Sequence, residues 1–307
     1  MKSIKVIMGD AGKKSSVLHQ ISNDEKEKLQ SVLFSILVDF NDLCKKVGVT
    51  YCLVGGSALG SVRHKDFIPW DDDIDLGMSR DEWEIFKKAC PPGFSNKYEI
   101  ESTNYYKRDT KFLQQRIYLK DSEYILPEEI NFPYSKGIFI DILVIDKVSD
   151  NIIVRKMDGI IADCMRIIAT SILDYKYPNA LMNELMAATI FSRTYFFARR
   201  TLGFFFSWCS HRKWCDMYDK FVSRHENSHT RLRTVGTGQK RYFGEILDSE
   251  IWFPYSEGVF RGMRVNLPHD VHRYLTEIYG SDYMQLPPVE KRVLHPIVSL
   301  RFPDQKK

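Results

Sequence analysis

Long apolar runs are missing from this chain of 307 residues. The richest stretch, from Leu185 to Ser210, is interrupted by Arg193, Arg199 and Arg200, so no run approaches the roughly 18 residues that cross a bilayer. A secretory leader is missing as well, because the apolar part of the N-terminal MKSIKVIMGDAGKK is too short. The six cysteines, Cys44, Cys52, Cys90, Cys164, Cys209 and Cys215, contain no C-x-x-C pair. Most sit among apolar neighbours, as buried free thiols do, and the expectation is a cytosolic, reduced protein. Excess charge is lacking too. A net charge of +4 and a pI of about 8.6 exclude the general polyanion footprint of a nucleic-acid binder, while mild attraction to anionic lipid or phosphorylated substrates remains open. Hydrophobic and aromatic contents of 44% and 13% exclude disorder, and the length suits one large domain or two modest ones.

Chemistry is concentrated between Tyr51 and Met78. The apolar run Tyr51-Cys52-Leu53-Val54 predicts a buried strand, broken by Gly55-Gly56-Ser57 and followed by a helix start at Ala58. A basic cluster, Arg63-His64-Lys65, and a Pro69-Trp70 turn lead into Asp71, Asp72, Asp73 and Asp75. If Asp73-Ile74-Asp75-Leu76 is extended, both carboxylates share one face while Ile74 and Leu76 anchor the other. Two carboxylates so close repel each other unless a cation lies between them. A hard divalent ion takes one or two carboxylates plus substrate phosphates, so the pattern suits a phosphate-handling metal site. The preceding glycines let backbone N–H groups approach a phosphate.

Around this stretch the elements alternate. Ser22, Asn23 or Asp24 caps a helix whose Leu29, Val32, Leu33, Ile36, Leu37, Phe40 and Leu43 recur at helical spacing, with Gly48 ending it. A capping box at Ser79–Glu82 opens a second helix. Strands are expected at 98–102 and 112–119, the latter containing Arg116 either as a solvent-facing residue or as a phosphate contact. The run from Gly137 to Asp146 holds Asp141 in surroundings where an unpaired charge is costly, which marks Asp141 as a metal ligand or as a neighbour of Asp73 and Asp75. Asp146 is expected to cap the next turn. Residues 152–230 read as helical, with Met157, Ile160, Ile161, Cys164 and Ile167 in register. For 185–210 the alternatives are core helix packing and an amphipathic surface touching a membrane, with arginines at headgroup level. Residues 258–268 predict a hairpin about a central Gly, and a helix follows from about Asp270 to Tyr279. His295 is a candidate phosphate or acceptor contact, although a lone histidine near a terminus is more often structural. The expected organisation is a catalytic core over 22–150, a mainly helical region over 151–235, and a hairpin and helix over 236–307 that complete the catalytic unit.

An apolar strand, a Gly-Ser step, an acidic strand of alternating pattern and a later isolated acid resemble the polymerase-beta-like nucleotidyltransferase superfamily. Within it, GSALGSVRHKDFIPWDDDIDLGM over residues 56–78 resembles the LicD family of phosphotransferases, to which the fukutin-related proteins are also similar. Gly137 to Ile142 is similar to that family's second acidic strand. Phe260-x-Gly262, Leu267-Pro268, Tyr279-Gly280 and Asp282-Tyr283-Met284 are similar to its C-terminal signature. The resemblance implies an α+β fold: a polymerase-beta-like core, a mixed sheet with flanking helices, carrying a helical insertion and a C-terminal hairpin and helix. It implies transfer of phosphocholine or a polyol phosphate from a CDP-activated donor to a sugar hydroxyl, releasing CMP. Asp73, Asp75 and Asp141 would be catalytic and hold Mg²⁺, with Mn²⁺ as an alternative. Gly56, Ser57, Arg63 and Arg116 would bind the donor. The acceptor would be a surface glycan such as a teichoic acid, capsule or lipopolysaccharide, or a lipid-linked oligosaccharide. Work would proceed in the cytoplasm at the inner membrane face, with 185–210 as a peripheral contact and no nucleic-acid partner. The sequence departs from the family in having Leu294 before His295, where many members show two adjacent histidines, and in doubling the donor-facing glycine. Two alternatives stay open: transfer of NMP from an NTP, and a catalytically inactive binding scaffold.

Overall fold

The computed structural model describes residues 18–90, 92–103, 113–134, 136–186 and 190–304. The first 17 residues, Phe112 at the head of the second expected strand, and 187–189 of the Phe-rich segment lie outside the described residues. Helix α1 spans Asn23–Val47. Of the three expected caps it is Ser22 that serves, in a reciprocal capping box with Glu25, and Gly48 ends the helix in the left-handed conformation at φ 74°. Leu29, Leu33, Ile36, Leu37 and Phe40 are buried along one stripe, which lies against the sheet through the strand β6 introduced below.

After α1 come β1 (Cys52–Leu53), α2 (Gly55–His64), β2 (Asp75–Ser79) and α3 (Arg80–Ala89). They are followed by β3 (Tyr98–Glu101), β4 (Gln115–Leu119), β5 (Glu123–Ile125) and β6 (Phe139–Val148). The sheet runs β1-β2-β6-β4-β3, with β7 (Leu232–Thr234) added to the far end of β6 and β8 (Leu247–Asp248) added to β7. Among the described residues the β2–β6 pairing is parallel and the other ladders of this sheet are antiparallel. The fold is therefore α+β with a mixed sheet. Strand β6 sits at its centre with nearly every residue buried, which is why it reads as a continuous apolar run rather than an alternating one. Asp146 does not cap a turn as expected. It lies within β6 and accepts two bonds from the buried Arg80 guanidinium, whose other side pairs with Asp219.

Helices α4 (Ile152–Lys176), α5 (Ile190–Phe206) and α6 (His211–Val222) follow, α4 packing on both α5 and α6 and α6 reaching the sheet at β6. The face of α4 that is buried carries Asp158, Gly159, Ala162, Ala169, Ile172 and Leu173. Small residues win here because neighbours come close: a Cβ on Gly159 would lie 2.2 Å from the Phe243 ring. Met157, Ile160, Ile161, Cys164 and Ile167 are in register as expected, but on the exposed side. The expected hairpin is β9 (Ser256–Phe260) with β10 (Met263–Leu267), turning through Arg261 and Gly262 at φ 50° and 78°, the two positive values a tight two-residue turn demands. Helix α7 (Val271–Tyr279) follows, capped by Asp270. The last strand, β11 (Ser299–Arg301), returns to pair with β5, and Ile297 bridges His19.

Candidate active site

The acidic stretch alternates as an extended segment must. Asp72, Ile74 and Leu76 are buried, while Asp71, Asp73 and Asp75 are half-buried. Strand β2 begins at Asp75, and Ile74 extends it by accepting the Asp141 N–H at 2.9 Å. Parallel register places Asp75 opposite Asp141, and the antiparallel β4 places Arg116 opposite Asp141 on its other side. Direct cross-strand neighbours project to the same face, so one rung carries Asp75, Asp141 and Arg116 in a row. Arg116 Nε donates to Asp141 Oδ1 at 2.7 Å and its Nη1 to Glu129 at 3.2 Å, while the guanidinium covers the Phe139 ring at 3.9 Å. Arg116 is thus a buried ion-pair partner, not a solvent-facing strand residue.

Charges in this rung are unbalanced. Burial pushes the Asp75 carboxyl well above its ordinary range, and the charges of Asp73, Asp141, Asp71 and Glu245 push it the same way. Burial raises Asp141 too, but Arg116 opposes the shift. Arg116 itself stays protonated, because Asp141 and Glu129 outweigh the desolvation of its guanidinium. Glu245 is buried beside Gly238, and burial raises it to about 7. Four carboxylates raising a fifth is the electrostatic condition that a divalent cation relieves, and an all-oxygen set suits a hard one. The repulsion centred on Asp75 is the charge condition in which such an ion would be stabilising. Among the described residues, the acids and histidine whose ligand atoms close to within 4.8 Å of one another are Asp72, Asp73 and His295 instead.

That second cluster works first as a latch. Asp72 Oδ1 meets His295 Nδ1 at 2.8 Å, and its Oδ2 accepts the His295 backbone N–H at 3.0 Å and the Tyr124 hydroxyl at 2.8 Å. His295 also stands 3.7 Å from Asp73 Oδ2. A cavity of about 70 Å³ is lined by Asp72, Asp73, Arg116, Tyr124, Asp141 and His295. It joins the acidic rung to the C-terminal segment.

The glycines make room for acids. Gly55 leaves β1 at φ 53° and opens α2 directly, so the expected break is the helix's first turn. A Cβ on Gly55 would sit 3.0 Å from Asp75 Oδ2, and one on Gly56 2.7 Å from Asp71 Oδ2. The positive end of the α2 dipole thus faces the acids. Ser57 is buried, and its Oγ accepts the Asp75 N–H at 2.9 Å, which fastens the start of β2. The Tyr274 hydroxyl accepts the Gly55 N–H at 3.0 Å. Arg63 lies at the other end of α2, donating to the carbonyls of Tyr283 and Gln285 at 2.8 and 3.1 Å. Its guanidinium and that of Arg292 flank Trp70, at 5.9 and 4.8 Å from the ring.

Of the expected site residues, Asp73, Arg116 and Asp141 line one cavity, Asp75 adjoins it through the sheet, and Gly56 and Ser57 support the acids from α2. Arg63 is anchored on the C-terminal loop, apart from the rung. Asp71, Asp72 and Arg292 were not anticipated. The period-two rule that selected Asp73 and Asp75 also selects Asp71, whereas Arg292 and the Asp72–His295 contact had no local signal.

Residues 48–92 match the family model described as LicD/FKTN/FKRP, nucleotidyltransferase domain. The lipopolysaccharide cholinephosphotransferase LicD of Haemophilus influenzae is 27% identical over 275 residues, covering 87% of this chain and 94% of that protein. The ribitol 5-phosphate transferase FKRP of human and of mouse is 64% identical over 31 residues, 10% of this chain and 6% of that protein. An uncharacterized protein of Rickettsia typhi is 31% identical over 80 residues, 26% of each chain. The acidic strand and its glycine support lie within the stretch that resembles the LicD family model, and the similarity to a LicD cholinephosphotransferase runs over most of the chain.

Proposed function

We propose that this protein moves a substituted phosphate, phosphocholine or a polyol phosphate, from a CDP-activated donor to a sugar hydroxyl of a surface glycan or its lipid-linked precursor, on a polymerase-beta-like core. The observation that carries the proposal is the rung of Asp75, Asp141 and Arg116, with Asp73 one alternation away. The names of the LicD and FKRP relatives, a cholinephosphotransferase and a ribitol 5-phosphate transferase, support the choice of transferred group.

Asp73, Asp75 and Asp141 would hold Mg²⁺ or Mn²⁺, which when bound neutralises donor phosphate charge and stabilises the leaving oxygen. In the transfer the acceptor oxygen forms a bond to the donor's distal phosphorus. The bond from that phosphorus to the bridging oxygen breaks, and CMP leaves with the electron pair. The acceptor hydroxyl proton passes to a carboxylate of the rung. Asp141 suits this role by position, because Arg116 fixes its orientation through Oδ1. Arg116 balances charge from behind Asp141, and Arg63 and Arg292 beside Trp70 supply cations for the donor phosphates.

A second reading, transfer of NMP from an NTP, is favoured by the nucleotidyltransferase description of the family domain. One assay separates them: purified protein with Mg²⁺, a glycan acceptor, and CDP-choline, CDP-ribitol, CDP-glycerol or nucleoside triphosphates, scored for CMP against pyrophosphate. Metal-dependent CMP release that disappears in Asp73→Asn is the expected outcome. Pyrophosphate from a triphosphate would transfer the assignment to the second reading, and CMP release undiminished in Asp73→Asn would refute the role of the acidic strand.

A further inference from the structure

Helix α4 carries two kinds of surface along its length. Ile153, Met157, Ile160 and Ile167 follow one another at helical spacing and stand in solvent, Ile153 being 68% exposed. The same row continues to Ser171, where α5 covers it. A Cβ on Gly203 would lie 2.0 Å from the Ser171 carbonyl oxygen, and the Phe204 ring packs on Tyr175 at 5.5 Å. Helix α5 therefore sits on the C-terminal half of this face, and the N-terminal half looks out beside it. The side of α5 turned away from α4 is apolar as well. Phe197 and Phe205 are exposed there, and Trp208, just past the helix, is 80% exposed. Apolar surface this extensive is unusual on a soluble monomer and marks an interaction face.

Charge decides what the face meets. Residues 152–222 contain ten Lys and Arg against six Asp and Glu, an excess equal to the +4 of the whole chain. Five of those six acids are ion-paired: Asp158 with Arg224, Asp163 with Arg166, Asp174 with Arg199, Asp216 with Arg212 and Asp219 with Arg80. Lys156, Arg193 and Lys213 are exposed cations on the same three helices. A second copy would bring cations against cations, whereas an anionic bilayer matches both components, aromatic side chains entering the acyl boundary and basic ones at headgroup level. No helix among the described residues is long and apolar enough to cross a membrane, so contact of this kind is peripheral.

We propose that the face formed by the N-terminal half of α4 and the outer side of α5 docks on a bilayer bearing anionic headgroups. Docking is independent of the reaction proposed above, since none of these residues lines the acidic cavity.

The test is flotation of the full-length protein with vesicles of phosphatidylglycerol and phosphatidylethanolamine, against phosphatidylcholine alone. Binding to the anionic vesicles only is expected, with a blue shift of tryptophan emission that is lost in Trp208→Phe. The double variant Ile153→Ser/Phe205→Ser removes apolar contact, and Lys156→Glu/Lys213→Glu reverses the flanking charge without touching the apolar row. Each should weaken partitioning roughly tenfold or more while leaving the circular dichroism spectrum intact. Equal binding to both vesicle types, or no binding to either, would overturn the proposal. So would a dimer in sedimentation that dissolves in the Ile153→Ser/Phe205→Ser variant without any vesicle binding, which would give the face to a second copy.

Discussion

Glu245→Gln should make the protein increasingly more stable than wild type as pH rises. Glu245 is only 4% exposed, and burial lifts its carboxyl from the ordinary 4.5 to about 7 against the opposing pull of the Lys240 backbone N–H and of the Lys240 charge. The folded protein therefore holds a proton more tightly here than the unfolded chain does. Stability attached to this group is complete below 4.5 and falls as pH rises to about 7, where the folded state must also surrender the proton. A shift of that size corresponds to at most roughly 3 kcal/mol. Glutamine keeps the shape and an acceptor for the Lys240 N–H but cannot ionise. Urea unfolding of both proteins in EDTA, from about pH 4 to about pH 8, reads the effect, since the titrating groups common to both cancel in the difference except Asp75, whose carboxyl the Glu245 charge also raises. The difference should grow in favour of Glu245→Gln across that window and level off above it. Parallel curves would refute the assignment of a buried, proton-holding carboxyl.

Two further outcomes follow from packing. Arg116→Met removes the cation from between Asp141 and Glu129, and leaving buried carboxylates unpaired should cost roughly 3–5 kcal/mol in urea unfolding; an unchanged midpoint would mean that water already screens the pair. Gly77→Ala drives a Cβ to 2.6 Å from Val54 Cγ1 and 3.3 Å from both Cys52 and Ile145, so thermal unfolding should show a loss of roughly 1–3 kcal/mol.

Local rules made the acidic strand legible. Period-two alternation separates Asp73 and Asp75 from Ile74 and Leu76 whatever lies elsewhere in the chain, and the cap at Ser22 is similarly self-contained; at Ser79 the expected box is only half made, since the Glu82 carboxylate takes the Thr50 N–H and hydroxyl instead. Arg116 was ambiguous because its environment is set by register: only after β4 pairs with β6 does Asp141 stand opposite it. His295 was weaker still, lying 223 residues from Asp72. The α4 stripe shows the converse failure. Periodicity correctly grouped Met157, Ile160 and Ile167, but it carries no sign, and Gly159, Ala162 and Ala169 turned the other side inward because they allow neighbouring elements to approach.

The return of the C-terminal segment sets an order of assembly. Among the described residues β5 finds its ladder partner in Ser299–Arg301, and one wall of the acidic cavity is His295. Everything contributing carboxylates to the rung has been made by residue 141, yet the cavity has no lid on that side until more than 150 further residues have been synthesised. A growing chain thus exposes its acidic strand before it has a chamber to use it in. A chain stopped short of residue 295 keeps the carboxylates and loses the enclosure, so premature termination yields a protein without a finished pocket.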